Sequence, residues 1–215
     1  TVNISSSNVS GANITLTDPT TPTPVAISDL SVAPGNTFGL LQFNNNSGSA
    51  LQDSNGREIA TSYEIDYDTD PAFTTPAPTI VTFAAHGTSD RNYILHNLTP
   101  GTYYFKMYAL VGATKSAAAT AGPVVIRAVG SGANTVSGNV SFPGTSTGPL
   151  YVGVFDGTTI YGQQINPPYT SPVAYSFSGV PAGDYQAFAI MDQNNNGLIE
   201  SSDISNVNNN HGGPP

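Results

Sequence analysis

The stretch from Leu98 to Leu110, LTPGTYYFKMYAL, indicates the fold class of this 215-residue chain. After a Pro-Gly turn, every second side chain is apolar or aromatic: Tyr103, Phe105, Met107 and Ala109. Because successive side chains of a strand point to opposite faces, this run predicts a strand with one face in a core. Similar short runs, separated by Gly, Pro, Asn and Asp, recur along the chain, and helical periodicity is nearly absent. We therefore predict an all-β fold.

An upstream run, TSYEIDYDTD at residues 61–70, shows the same alternation with charge on its second face. Its inward positions carry Tyr63, Ile65 and Tyr67, and its outward positions carry Glu64, Asp66 and Asp68, with Asp70 in the following turn. Such an acidic edge could bind a second cation or supply a carboxylate pair. Charged runs most often lie in solvent, and we predict a solvated strand face here.

The spacing of strand-like runs divides the chain into two tandem antiparallel β-sandwiches, a division that 215 residues allow. Residues 1–23 contain one strand-like run and a Pro/Thr-rich linker, and residues 24–128 form the first sandwich. Residues 129–133 are a short hinge, residues 134–205 form the second sandwich, and residues 206–215 are a polar tail.

Two internal similarities support this division. Leu98, Gly101 and Tyr103 have the same spacing as Val180, Gly183 and Tyr185. Each set predicts a tyrosine corner, in which a tyrosine hydroxyl fixes a crossover of a sandwich. The run NVSGANITL at residues 8–16 also matches NTVSGNVSF at residues 134–142 if one residue is inserted as a bulge.

The first sandwich resembles a fibronectin type III domain, on the runs YEIDYDTDPAF and LTPGTYYFKMYAL, with Phe43 in place of the usual core tryptophan. The second is similar to the carboxypeptidase-regulatory-like, or prealbumin-like, sandwiches of secreted bacterial proteins, on VSGNVSF, YSFSGVPAGDYQAFAIMD and NNNGLIESSDIS. The resemblance implies an Ig-like sandwich followed by a prealbumin-like one. It also implies a binding or spacer module at the cell exterior, not an enzyme.

The segment DQNNNGLIESSD at residues 192–203 has the spacing of a calcium-binding loop. The predicted ligands are the side chains of Asp192, Asn194, Asn196, Glu200 and Asp203 and the carbonyl of Leu198. Gly197 permits the loop to curl. The terminal Asp and the preceding strand resemble dockerin-like loops. With so few carboxylates, we expect a dissociation constant on the order of 10⁻⁴–10⁻³ M. The alternative is an Asn-rich turn that caps itself without a metal.

Composition excludes several other classes. The net charge is −9 and the five basic residues are scattered, which argues against nucleic acid. The absence of cysteine excludes disulfides and thiolate metal sites. No apolar run approaches the roughly 20 residues of a membrane span. The chain opens at Thr1 without a signal peptide, and we expect it to be a mature, secreted form.

Catalytic motifs are also missing. His86 and His96 lie outside the tail but accompany no GxSxG or HExxH motif, so we predict that the chain is not an enzyme. Four tyrosines could offer a sugar-stacking surface: Tyr151, Tyr161, Tyr169 and Tyr175. Because the chain has no tryptophan, we favour the interpretation that these tyrosines occupy core and corner positions.

The N-terminal run from Val9 to Thr17 leads to a hypothesis of assembly. Ile14 and Leu16 lie on one face of this run. A lone strand can neither bury that apolar face nor satisfy its backbone hydrogen-bond donors. Val9, Ile14 and Leu16 are therefore predicted to form an intersubunit strand beside a sandwich of the second type; the alternative is an edge strand of the first sandwich. We predict an extracellular structural or adhesive protein, a self-associating filament subunit or part of a surface array. The alternative is a carbohydrate-binding or spacer module of a secreted enzyme, with glycans as partners.

Overall fold

The computed structural model describes residues 24–44, 59–74, 77–85, 92–128, 130–199 and 202–206. This part of the chain contains strands and no helix, which confirms the all-β prediction. In the described residues no helix has the length and apolar character needed to cross a membrane. The predicted intersubunit residues Val9, Ile14 and Leu16, as well as His86 and Glu200, lie outside the described residues.

In the first half of the chain, the described residues form eight strands. They are β1 (Ser28–Pro34), β2 (Gly39–Asn44), β3 (Ser62–Asp68), β4 (Thr79–Ala84), β5 (Asn92–Leu95), β6 (Gly101–Val111), β7 (Thr114–Lys115) and β8 (Ala119–Ile126). Sheet 1 has the order β4-β3-β6-β7, with β8 also paired to β6, and sheet 2 has the order β1-β2-β5. All of these pairs are antiparallel.

In the second half, the residues that the structure describes form six strands. They are β9 (Asn134–Val140), β10 (Leu150–Phe155), β11 (Ile160–Ile165), β12 (Val173–Val180), β13 (Gln186–Met191) and β14 (Ile204–Ser205). Sheet 3 has the order β11-β10-β13-β14 and sheet 4 has the order β12-β9, again with antiparallel pairs.

The four sheets stack in the order 1, 2, 3, 4, with an apolar layer between each neighbouring pair. Sheets 1 and 2 enclose a core that includes Leu41, Phe43, Tyr63, Ile65, Tyr93, Phe105 and Met107. Sheets 3 and 4 enclose Leu150, Val152, Val154, Val173, Phe177 and Met191. Between sheets 2 and 3 lie Ala33, Leu40, Ile94, Tyr151, Phe188 and Ile190. The two sandwiches are therefore joined by a third apolar layer.

This arrangement follows from strands that are apolar on both faces. In β5, Ile94 packs against sheet 3, whereas its neighbours Tyr93 and Leu95 pack against sheet 1. In β10, Tyr151 faces sheet 2 while Leu150 and Val152 face sheet 4. Strands buried on both faces have continuous apolar sequences instead of alternating ones, and NYIL and LYVGVF are such sequences.

Both predicted tyrosine corners are present. The hydroxyl of Tyr103 donates to the carbonyl of Thr99 at 3.0 Å, and that of Tyr185 donates to the carbonyl of Pro181 at 3.1 Å. Phe43 lies in the first core, with its ring centroid 5.4 Å from that of Tyr63. The two hydroxyl bonds fix the turns that lead into β6 of sheet 1 and β13 of sheet 3.

The segment that joins the two halves lies against β12. The amide of Gly132 donates to the carbonyl of Gly179 at 2.8 Å, and a Cβ added to Gly130 would lie 2.1 Å from that same oxygen. Only glycine fits so close to another backbone. Residues 130–132 therefore lie against the C-terminal end of β12.

Candidate metal centre

The candidate calcium loop lies between β13 and β14 and against the edge of sheet 2. Asp192 follows β13 directly, and Asp203 precedes β14. Both carboxylates are buried, and Oδ1 of Asp203 accepts the amide of Gln193 at 3.0 Å. That hydrogen bond brings the two ends of the loop together. Of the predicted ligands, only Glu200 falls outside the described residues.

Asp192 organises the loop from a buried position, with 1% of its surface exposed. Its Oδ1 accepts the amide of Asn196 at 3.1 Å and its Oδ2 accepts the amide of Gly197 at 2.8 Å. Burial raises the pKa of Asp192, although these amides and the nearby His96 act in the opposite direction. Among the described residues no lysine or arginine forms an ion pair with it. A cation would stabilise this buried charge.

The side chains of two asparagines accept hydrogen bonds from the backbone of the same loop. Oδ1 of Asn194 accepts the amide of Asn196 at 3.1 Å, and Oδ1 of Asn196 accepts the amide of Leu198 at 2.8 Å. Positive φ angles at Asn195 (54°) and Gly197 (81°) allow the chain to turn around them. An amide oxygen accepts two interactions, so these hydrogen bonds are compatible with a cation on the same oxygens. They also occur in self-capped turns without metal.

Leu198 connects the loop to the first sandwich. It forms an antiparallel bridge with Tyr93 of β5, flanked by hydrogen bonds from the amide of Ile94 to the carbonyl of Gly197 (2.7 Å) and from the amide of Ile199 to the carbonyl of Asn92 (3.2 Å). In such a non-hydrogen-bonded pair, the residue's own amide and carbonyl point away from the partner strand. The carbonyl of Leu198 therefore points away from β5, as the predicted ligand role requires.

The available donors match a weak oxygen site. Within the described residues, no three His, Cys, Asp or Glu side chains cluster at metal-binding distance. A cation would therefore depend on Asp192 and Asp203 together with amide and backbone oxygens. Oxygen-only donor sets of low charge fit Ca²⁺ better than Zn²⁺ or another transition metal.

Among the described residues, those considered for other chemistry do not meet in one site. Nδ1 of His96 lies 3.3 Å from the hydroxyl of Tyr151, between sheets 2 and 3. Tyr151 and Tyr161 are buried in different apolar layers. Tyr169 donates to the carbonyl of Gly148 at 2.6 Å, and Tyr175 packs against the second core. The four tyrosines therefore occupy core and turn positions.

The acidic edge of β3 corrects one prediction, because it is not a solvated face. Glu64 and Asp68 are 7% and 5% exposed, respectively. Glu64 forms an ion pair with Lys115 of β7, and its register partner in β6 is Tyr108. Lys115 and Tyr108 of the neighbouring strands therefore lie against Glu64, which the alternation along β3 did not indicate.

We expect Asp66→Asn to stabilise the protein at neutral pH. Burial, together with Glu64 beside it, raises the pKa of Asp66 to about 6. Between about pH 4 and pH 6 the folded state therefore holds a proton that the unfolded state has lost, and stability falls as the pH rises through this window. Melting temperatures should show a gain for the variant at pH 8 that shrinks below pH 4. The exposed Asp184→Asn is the control, and an equal gain at both pH values would contradict the assignment.

Comparisons with known proteins give similarity only to solved structures. No protein-family model and no curated protein matches the chain. A two-domain fibronectin type III segment of chicken tenascin is 20% identical, with a TM-score of 0.32, and the match covers 83% of this chain and 96% of that one. The FN1–FN3 domains of chicken CNTN1 are 11% identical, with a TM-score of 0.38, over 86% of this chain and 64% of that one. Likenesses of this size identify neither a partner nor an activity.

Proposed function

We propose that the chain is a non-enzymatic structural or adhesive module of the cell exterior, with one Ca²⁺ bound by the loop from Asp192 to Asp203. The buried carboxylate of Asp192, at the head of a curled loop of oxygen donors, carries this proposal. The side chains of Asp192, Asn194, Asn196 and Asp203 and the carbonyl of Leu198 would hold the ion, with Glu200 as the remaining predicted ligand. The ion would supply positive charge to a buried acidic loop and stabilise the folded state.

Calcium titration of the full chain tests this site. We expect binding of about one ion per chain with a dissociation constant on the order of 10⁻⁴–10⁻³ M, and a higher melting temperature with calcium than with EDTA. Asp192→Asn should weaken binding by at least about tenfold, because it removes the charge and keeps the shape. Asp184→Asn, an exposed acid in the same sandwich, should leave binding unchanged. Binding that both variants retain would place the ion elsewhere.

We propose that the module assembles by β-strand addition at the open side of the second sandwich. On the side of β9 away from β12, no described strand is paired. Beside it lies a cavity of about 130 Å³. Its apolar lining comes from Val140, Phe142, Leu150, Ala189, Met191 and Ile204. Near this cavity the side chain of Asn206 accepts a hydrogen bond from the amide of Ala189 and donates one to the carbonyl of Ala187. A paired strand would make hydrogen bonds to the same backbone groups. The run at residues 8–16, similar in sequence to β9, is the proposed added strand.

Removal of residues 1–17 should abolish assembly and leave a folded monomer. The chain has no cysteine, so an engineered pair, Leu16→Cys with Ser205→Cys, reports the contact without background. We expect oxidised multimers from this pair, and none from Leu16→Cys with Asp184→Cys as the control. An unfolded protein after the deletion, or assembly that persists, would instead favour an edge strand of the first sandwich or another contact.

The carbohydrate-binding alternative has one supporting observation. A cleft of about 370 Å³ lies between the two sandwiches. Its lining includes the neutral polar side chains of Asn36, Thr37, Asn97, Gln163, Gln164 and Asn166. Amides and hydroxyls suit sugar hydroxyls, but no aromatic ring with an exposed face accompanies them, since Phe177 is buried. Binding to a panel of neutral oligosaccharides that Gln163→Ala abolishes would favour this alternative.

A further inference from the structure

The candidate metal loop belongs to the second sandwich, yet its far end is built into the first. Leu198 is 1% exposed and packs in the apolar core between sheets 1 and 2, together with Tyr93 and Leu95 of β5. Gly197 and Ile199, on either side of it, pair with the backbone of β5. We call residues 197–199 the latch. It extends sheet 2 by a short strand-like segment that comes from the other sandwich.

The latch and the metal loop share their backbone. Asp192 accepts the amide of Gly197, whose carbonyl accepts the amide of Ile94. Asn196 accepts the amide of Leu198, whose carbonyl is a proposed ligand. In each peptide group that joins two latch residues, one polar atom therefore faces the loop and the other bonds to β5 of the first sandwich. A change in the position of Asp192 or Asn196 moves groups that hold β5.

From this shared backbone we infer that a divalent cation in the loop controls how firmly the two sandwiches are coupled. The inference rests on the proposed calcium site and names what that site regulates. With the ion bound, the loop holds Gly197 and Leu198 in the geometry that pairs with β5. Without it, the buried charge of Asp192 is less compensated, and the latch opens more often while sheets 1 and 2 stay folded.

Hydrogen exchange of the Ile94 amide, followed by NMR on the full chain, tests the inference. Ile94 lies in the first sandwich and is not a proposed ligand, but its amide bonds to the latch. If opening of the latch requires release of the ion, exchange should slow by about tenfold at a calcium concentration ten times the dissociation constant, relative to EDTA. The amide of Ile65, in the middle of sheet 1, is the reference for global unfolding: in EDTA it should exchange more slowly than that of Ile94, because the latch opens while sheets 1 and 2 stay folded.

Calorimetry on the same samples separates a failure of the calcium site from a failure of the coupling. If calcium binds and exchange at Ile94 does not change, the coupling is overturned and the calcium site stands. If calcium does not bind, the proposed site fails and the coupling fails with it. A second variant, Ile199→Ala, truncates a latch side chain that packs between sheets 2 and 3 and is not a proposed ligand; it should still bind calcium and show faster exchange at Ile94 than the unmodified chain. Unchanged exchange in that variant would also count against the latch.

Discussion

Leu198→Ala is expected to lower the free energy of unfolding by about 2–5 kcal/mol, the range for truncating a buried leucine. The residue is 1% exposed and belongs to the core between sheets 1 and 2, although its chain segment leads into β14 of sheet 3. The variant leaves a cavity beside Tyr93 and Leu95, which adds to the lost burial. Chemical denaturation followed by tyrosine fluorescence measures the change.

Ile80→Ala is the control for this prediction. Ile80 lies on β4 of the same sandwich and is 56% exposed, so its truncation should change the stability by no more than about 0.5 kcal/mol. If Leu198→Ala is equally mild, the side chain is not in the first core in solution, and the description of the latch is wrong.

Gly197→Ala is expected to be the second large effect, with a loss of about 2–4 kcal/mol from two sources. The φ angle of Gly197 is 81°, which disfavours any side chain, and an added Cβ would lie 2.6 Å from Cζ of Tyr93. The ring of Tyr93 is stacked on Phe83, with a centroid separation of 4.5 Å, so it has little freedom to move away. Thermal unfolding of the purified variant measures the loss.

Gly144→Ala separates the two sources. Gly144 has a φ angle of 78°, close to that of Gly197, but an added Cβ would meet nothing within 4 Å. This control should show only the backbone strain, about 1 kcal/mol. The difference between the two variants measures the contact between the loop and Tyr93. Equal losses of stability in the two variants would mean that the loop does not contact Tyr93 of β5.

Much of the fold follows from alternation in the sequence. The runs at Tyr63–Tyr67 and Tyr103–Ala109 place one face in a core and appear as β3 and β6. The shared spacing of residues 98–103 and 180–185 predicts two tyrosine corners, and both hydrogen bonds are present. Local patterns of this kind succeed because strand periodicity and turn chemistry depend on neighbouring residues alone.

The packing of one sandwich on the other was not predicted. Its signal lies in the continuous apolar runs of β5 and β10, where burial on both faces removes the alternation. Such runs indicate that a strand is covered twice, but not by which partner. For the same reason, the spacing of the calcium loop predicts its oxygen donors and does not reveal that Leu198 enters the core of the other sandwich.

The burial of the carboxylates of β3 also could not be predicted from local sequence. Alternation assigns Glu64 and Asp68 to the outer face, and the register of β3 with β6 agrees. The burial of Glu64 depends on Tyr108 and Lys115, which neighbouring strands bring across that face. These neighbours are about 40–50 residues away in the chain, beyond the reach of any local pattern.

Anomalous diffraction from crystals grown with calcium shows the position of the ion and that of the Leu198 side chain together. We expect one calcium peak per chain inside the loop, coordinated by oxygens of Asp192, Asn194, Asn196 and Asp203 and by the carbonyl of Leu198, while the side chain of Leu198 lies in the core between sheets 1 and 2. A loop without a peak at millimolar calcium, or a peak with Leu198 outside that core, would contradict it.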